Sequence, residues 1–360
     1  MSSLLLFISI LLLFTTICFS SRIPIRSDYE VSLLYEGWLV RHNKFYSDSS
    51  EKERRYEIFK DNLKYIDKHN AGNHTYTLAL NVFADLTVEE YRATFLRTLP
   101  PRKWKMENDS EAFNDNVGVA PDSIDWRDEG VINPIRHQGG CFSCWAFAVL
   151  TTVEAVNKIV TGDLVTLSEQ QLVDCFNKGC QPSYLDDAYQ YIIDNGGVDT
   201  EADYPYTAKY SNSCDTTKES NKVVTIDGYR MVRRNNENAL KVAVADQPVA
   251  AAVEGYGKNF QLYGNGIFTQ FCGTKVDHAV ALIGYDSEGG KDYWIVRNSW
   301  GDGWGENGYM KLERNIQSRS GKCGIASWPY YPIKYSNMKN KGNTLEVEAE
   351  EEKARRSGEK

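Results

Sequence analysis

At 360 residues, with 42% hydrophobic content, 22 tyrosines and 8 tryptophans, the chain exceeds one typical domain and has ample apolar material for a packed body. A formal net charge of -8 gives no electrostatic case for nucleic acid or an anionic membrane surface, both of which favour basic faces.

Leu4 to Phe14 is almost unbroken apolar sequence followed by smaller and polar residues through Ser20. The run is about half of what a bilayer-spanning helix needs, so residues 1–20 read as a cleaved secretory signal. No later stretch reaches spanning length, and a soluble product of the secretory pathway is expected. From Asp28 to about Leu96 the chain reads as charge-rich helices. Within it, Glu51 to Asn70 sets Tyr56, Phe59, Leu63 and Ile66 at steps of three and four, an amphipathic stripe. Pro100 to Asn116 reads as an exposed linker of the sort that proteases cut. Asn73-His74-Thr75 and Asn108-Asp109-Ser110 are glycosylation sequons, surface positions if used.

The texture turns globular at Ala120. Ser143 to Val160 carries Ala146, Val149, Val153, Val156 and Val160 at helical spacing; Ser143 is the expected N-cap, which puts Cys144 on the first turn. Beyond about Asn221 the runs become strand-like: Val223 to Ile226, Val249 to Val253, Ala279 to Gly284 and Tyr293 to Val296. A helical half followed by a β half implies an α+β fold of two packed lobes. The tail from Asn337 is polar and acidic, then basic, and reads as a disordered extension over 334–360.

Of eight cysteines, Cys18 leaves with the leader. The seven that remain meet an oxidising compartment, where pairs close into disulfides and an odd thiol is left over. Cys141 and Cys144 form a lone C-x-x-C with no second pair to complete a zinc site, so no metal and no cofactor is expected. A cysteine attacks a carbonyl only as thiolate; a helix start and a neighbouring imidazole both lower its pKa. Of the five histidines, His42, His69 and His74 lie in the N-terminal segment. His137 and His278 remain, and composition does not choose between them.

Three blocks narrow the reading. Gln138-Gly139-Gly140-Cys141-Phe142-Ser143-Cys144-Trp145 resembles the nucleophile segment of the papain family of cysteine proteases. Val276-Asp277-His278-Ala279 resembles that family's histidine strand, and Asn298-Ser299-Trp300-Gly301 its asparagine turn. His278 and Asn298 follow Cys144 by 134 and 154 residues, near the family's spacing of about 130–150. The resemblance implies the papain-like two-lobe fold, with a helical left lobe (about 130–228) and an antiparallel β-barrel right lobe (about 229–333). It further implies Cys144 as nucleophile, His278 as proton partner and Asn298 orienting the imidazole. Trp300 would shield that bond, and Gln138 with the Cys144 N–H would form an oxyanion hole. Disulfides Cys141–Cys180, Cys175–Cys214 and Cys272–Cys323 are implied as well, leaving Cys144 as the odd thiol.

Upstream, Glu51, Arg55, Phe59, Asn62, Ile66 and Asn70 resemble the long-helix motif of the family's inhibitory propeptide. Asn81, Phe83 and Asp85 resemble its second motif, with Ala79 where glycine is usual. The resemblance implies a zymogen: propeptide 21–119, removed near Val119/Ala120 and loosened by acid, then a peptidase domain over 120–333. The implied partners are peptide and protein substrates, the chain's own propeptide as inhibitor and cystatin-like inhibitors. The product is expected to be a monomer, extracellular or vacuolar.

Three cleft positions depart from the family. Phe142 replaces glycine, Gln181-Pro182-Ser183 replaces Asn-Gly-Gly, and Trp328 replaces a smaller residue at the base of the pocket for the second residue before the cut. Ser183 keeps an N–H for pairing with substrate, whereas Pro182 has none. With Tyr184, Leu185, Ala252, Val276, Asp277 and Ala279 lining the rest, a narrowed, selective cleft is expected. The alternatives are a papain-fold enzyme turned to acyl transfer or small-molecule chemistry, and a non-catalytic binding or storage relative.

Overall fold

The computed structural model describes residues 26–98 and 120–335. The expected leader, the expected linker with Asn108 and the expected cut site before Ala120, and the charged tail from residue 336 lie outside the described residues.

Helix α1 (Asp28–Arg41) begins with a capping box in which Ser27 and Glu30 satisfy each other's backbone N–H groups. Helix α2 (Ser49–Asn70) starts from Asp48 and buries Phe59, Asn62, Leu63 and Ile66. The two pack through Tyr35, Trp38, Leu39, Phe59, Leu63 and Ala84. Three of the four polar members of the long-helix motif hold a backbone, and the fourth, Glu51, holds the side chains of Arg54 and Arg55. Asn62 Nδ2 donates to the carbonyls of Ala84 and Leu86, and Asn70 pairs both ways with the Leu78 backbone. Arg55 bridges Glu51, Glu90 and the Asp85 carbonyl.

After α2 comes a feature absent from the helix-only expectation. Strand β1 (Tyr76–Leu78) pairs antiparallel with β5 (Tyr263–Phe268), so the N-terminal segment adds an edge strand to the body. Asn81 strengthens the join, its Nδ2 donating to the carbonyls of Gln261 and Tyr263. Ala79 is accommodated because Gly264 faces it: a Cβ on Gly264 would lie 2.9 Å from the Ala79 methyl. Helix α3 (Val88–Phe95) is capped by Thr87 and Glu90. Tyr76, Leu78, Phe83, Tyr91 and Phe95 share one apolar cluster with Phe260, Tyr263, Trp300 and Trp304, so this segment is packed into the body rather than resting on it.

The helical lobe is built on α4 (Cys144–Thr161), buried from Cys144 through Asn157, ending at Gly162 in the left-handed region (φ 88°). It is apolar and 18 residues long, but it is a core helix, enclosed by its own lobe on one side and by β-lobe residues such as Ala250, Ala279 and Tyr330 on the other. Helix α5 (Leu185–Asn195) packs across it through Leu185, Ala188, Tyr189 and Ile192. Ser143 precedes α4 as expected but does not cap it. Its hydroxyl is hydrogen bonded to the Tyr206 hydroxyl at 2.6 Å, which takes it away from the first-turn amides.

The β lobe is one continuous sheet containing β2 (Ile124–Asp125), β3 (Gly228–Met231), β4 (Val249–Val253), β6 (His278–Glu288), β7 (Lys291–Arg297), β8 (Tyr309–Glu313) and β9 (Tyr330–Ile333). Its order is β1-β5-β8-β7-β6-β4-β9-β3, with β2 on β6. Pairing is antiparallel except for β5 with β8, which run parallel; the expected barrel is therefore not purely antiparallel. Helix α6 (Glu237–Asp246) contributes Leu240, Ala243 and Val244 to its core. Gly284 lets β2 approach, since a Cβ there would meet the Ile124 carbonyl at 2.2 Å. Val223 to Ile226 is not a strand: only Val224 bridges, to Val198. Val224 and Ile226 bury into the helical-lobe cluster with no ladder beside them, and a ladder forms only from Gly228, where β9 lies alongside.

Three disulfides join Cys141 to Cys180, Cys175 to Cys214 and Cys272 to Cys323. Among the described residues the free cysteine is Cys144. The pairing and the leftover thiol agree with the expectation.

Candidate active site

The lobes meet where the first turn of α4 faces the first residues of β6. Cys144 is buried at the helix start, and its Sγ accepts from the Ala279 N–H at 3.4 Å. The imidazole one residue earlier, His278, is 3% exposed. Its Nε2 lies 2.7 Å from Asn298 Oδ1, which also accepts from the Ser299 N–H at 2.8 Å. With Oδ1 an acceptor, Nε2 carries the proton in the neutral ring and Nδ1 holds a lone pair. Nδ1 is buried and has no hydrogen-bond partner, so it is available to take a proton. His137, the other histidine left open by composition, turns away: its Nδ1 accepts from the Gly139 N–H and its ring lies against Gly301.

Trp300 lies against the His278 ring, centroids 4.4 Å apart and planes 27° from parallel, so water has no access to that face of the His278–Asn298 pair. Gln138 is fully buried and pinned at three points. Its N–H donates to the Ser299 carbonyl, its Oε1 accepts from Ser299 Oγ at 2.7 Å, and its Nε2 donates to the Cys141 carbonyl at 3.0 Å. A primary amide has two N–H bonds, so one donor remains.

A cavity of about 460 Å³ runs along the interface, lined by Cys144, His278, Ser183, Tyr184, Leu185, Ala252, Val276, Asp277, Ala279 and Trp328. Each of these was expected there. Pro182 lines it too, but Phe142 does not; its ring packs instead under the guanidinium of Arg97, at 4.5 Å from the centroid. Arg234, which sequence reasoning missed, joins the wall. Its guanidinium stacks 3.4 Å over Trp328 while its Nε donates to the Ser327 carbonyl. Nothing in the surrounding Arg233-Arg234-Asn235 announces that contact.

The N-terminal segment covers this site. The Arg97 N–H donates to the Asp277 carbonyl at 2.9 Å, the Tyr91 hydroxyl to the Gly255 carbonyl at 3.0 Å, and Leu96 packs on Gly255. Under that cover, burial pushes the Cys144 thiol up to about 11 against the helix-start and Ala279 amides, which favour thiolate. Burial likewise pulls His278 down to about 4, opposed by its bond to Asn298. Burial thus disfavours the charged form of both groups, and readmitting water favours the thiolate–imidazolium pair.

A thiol–imidazole pair buried beneath a tightly packed N-terminal segment defines the precursor of a thiol hydrolase. Residues 120–333 match the papain family cysteine protease domain and residues 35–91 the cathepsin propeptide inhibitor domain (I29). The chain belongs to the papain family of cysteine proteases and carries its inhibitory propeptide. It is 52% identical over 316 residues to the probable cysteine protease RD21C of Arabidopsis thaliana, covering 86% of this chain and 70% of that protein. Among solved structures, a recombinant stem bromelain precursor matches with a TM-score of 0.79 and 40% identity over 85% of this chain and 100% of that one. The proform of the ragweed pollen cysteine protease Amb a 11 matches with a TM-score of 0.77 and 35% identity over 86% and 96%.

Proposed function

We propose that this papain-family zymogen cleaves peptide bonds through Cys144 as nucleophile and His278 as the base and later acid. The carrying observation is the sulfur itself. Three disulfides take the other described cysteines, while Cys144 stays unbridged at a helix start beside His278. Nδ1 of His278 takes the thiol proton, the thiolate attacks the carbonyl carbon, and the imidazolium returns the proton to the leaving amine. Water then hydrolyses the thioester. Asn298 fixes the ring, Trp300 keeps water off it, and the free N–H of Gln138 with the Cys144 N–H receives the oxyanion.

In this reading residues 1–20 are a secretory signal, 21–119 the propeptide, 120–333 the peptidase domain and 334–360 an extension. Processing falls near Val119/Ala120, Asn73 (exposed on the propeptide) and Asn108 accept glycans, and the product is extracellular or vacuolar. Peptide and protein substrates occupy the cleft, and cystatin-like inhibitors compete for it. The test is acid activation followed by a thiolate-directed epoxide and a peptide library. Labelling at Cys144, lost in Cys144→Ser, together with peptide turnover supports the reading. Labelling without turnover transfers the site to acyl transfer or small-molecule chemistry, and no labelling transfers it to a binding role.

A further inference from the structure

The propeptide lays one residue, Arg97, into the cavity that holds the thiol. Arg97 and Cys144 line the same cavity, and the Arg97 N–H is held by the Asp277 carbonyl immediately before His278. From there the Arg97 guanidinium reaches 4.5 Å over the Phe142 ring. Phe142 is half-buried two residues before the nucleophile, whereas Arg97 is exposed; the ring is the fixed partner and the cation the visitor. The ring's negative face attracts a planar cation, and more strongly where water is displaced. Glycine, usual at this position in the resemblance described above, offers no such face.

We propose that Phe142 is a specificity-determining residue, an aromatic platform that favours substrates with a guanidinium or ammonium side chain next to the scissile bond. The proposal rests on Cys144 being the nucleophile. Arg97 is then a resident occupant of the place that a basic substrate residue takes after processing. The second propeptide stack, Arg92 at 3.8 Å over Tyr256, lies on α3 and has no part in the proposal. A cation over an aromatic face selects by about 2- to 30-fold, depending on how dry the contact is.

The test uses matched peptides with arginine or citrulline, alike in shape and different in charge, at the residue before or after the scissile bond. The processed wild-type enzyme is expected to favour arginine in kcat/KM by about 3-fold or more at one of the two positions. Phe142→Leu is expected to bring that ratio near one, and Phe142→Tyr, which keeps the ring, to retain it. A ratio near one at both positions in wild type, or a ratio that survives Phe142→Leu, overturns the proposal. Protection of Cys144 from iodoacetamide by the same peptides reads the preference without turnover. If protection keeps the arginine preference while no peptide is cleaved, the platform stands and the peptidase reading fails.

Discussion

One face of the Trp300 indole lies 4.4 Å from the His278 ring, centroid to centroid. Its edges meet Phe83 and Tyr91 of the propeptide at 5.2 and 5.5 Å. The same side chain therefore orders the candidate catalytic ring and anchors the segment that covers it. Trp300→Ala is expected to cost the precursor about 3–5 kcal/mol, the usual range for emptying a buried tryptophan site, seen as a lower midpoint in urea. Trp300→Phe is expected to retain most of the stability while lowering kcat, because a smaller ring leaves the His278–Asn298 bond open to water.

Asn298→Ala removes the acceptor that sets the His278 tautomer and leaves Nε2 buried and unpaired. A loss of about 1–3 kcal/mol, or roughly 5- to 150-fold in kcat/KM, is expected, with a shifted pH profile. Gln138→Ala is expected to cost about 10²–10³ in kcat with little change in KM, as for loss of one oxyanion donor. An unchanged kcat in the Gln138 variant would remove that residue from the oxyanion site.

The groups through which acid would loosen the cover can be named. Burial pulls His278 down to about 4, so the uncovered ring gains a proton as pH falls from 6.5, which favours opening. Burial lifts the covered Asp277 to about 7, so acidification below that favours closure. The two act in opposite directions. Hydrogen bonds from Arg54 and Arg55 hold Glu51 at about 2, so its contribution, fully present above 4.5, is lost progressively as pH falls from there toward 2. His137, His42 and His69 are the other histidines pushed down by burial; His137 stays with the body and faces Lys44, and the propeptide's own are His42 and His69. Each is pushed down by burial, against a Leu80 carbonyl for the first and a Tyr76 carbonyl for the second, and each becomes protonated on release below 6.5. Around them stand Arg41, Lys44 and Asp85 at His42, and His74, stacked 3.9 Å away, at His69. The double variant His42→Gln/His69→Gln is expected to open at a pH lower by roughly 0.5 unit or more, measured as the midpoint of Cys144 labelling against pH. An unchanged midpoint would show that neither histidine drives release.

Asn81 joins the propeptide to the Gln261 and Tyr263 carbonyls and accepts from the Phe83 N–H. Asn81→Ala strands those groups, at about 1–3 kcal/mol. Labelling of Cys144 in the intact precursor at neutral pH is expected to quicken by about 5- to 150-fold, with the processed enzyme unaffected.

Trp328, braced by Arg234, closes part of the cleft. Trp328→Ala is expected to raise cleavage of peptides with a bulky second residue before the cut, relative to small ones, by about 10-fold. Equal turnover of the two peptide series by wild type and variant would refute the narrowed pocket.

The class of the protein was legible in the sequence because its chemistry is written in short, ordered blocks. The thiol segment, the histidine strand and the asparagine turn keep residue types and spacing, and odd cysteine parity independently calls for one unbridged sulfur. The α2 stripe was legible because a 3.6-residue period is a local property of the chain. Tertiary structure alone decided the rest. Ser143 precedes a helix without capping it, because Tyr206, 63 residues on, claims its hydroxyl. Tyr76 to Leu78 became a strand because an edge of the sheet was waiting for it, and Val223 to Ile226 did not because none was. Phe142 left the cleft wall for Arg97, and Arg234 entered it through Trp328. These outcomes depend on which distant surfaces meet, and neither pattern nor spacing along the chain carries that information.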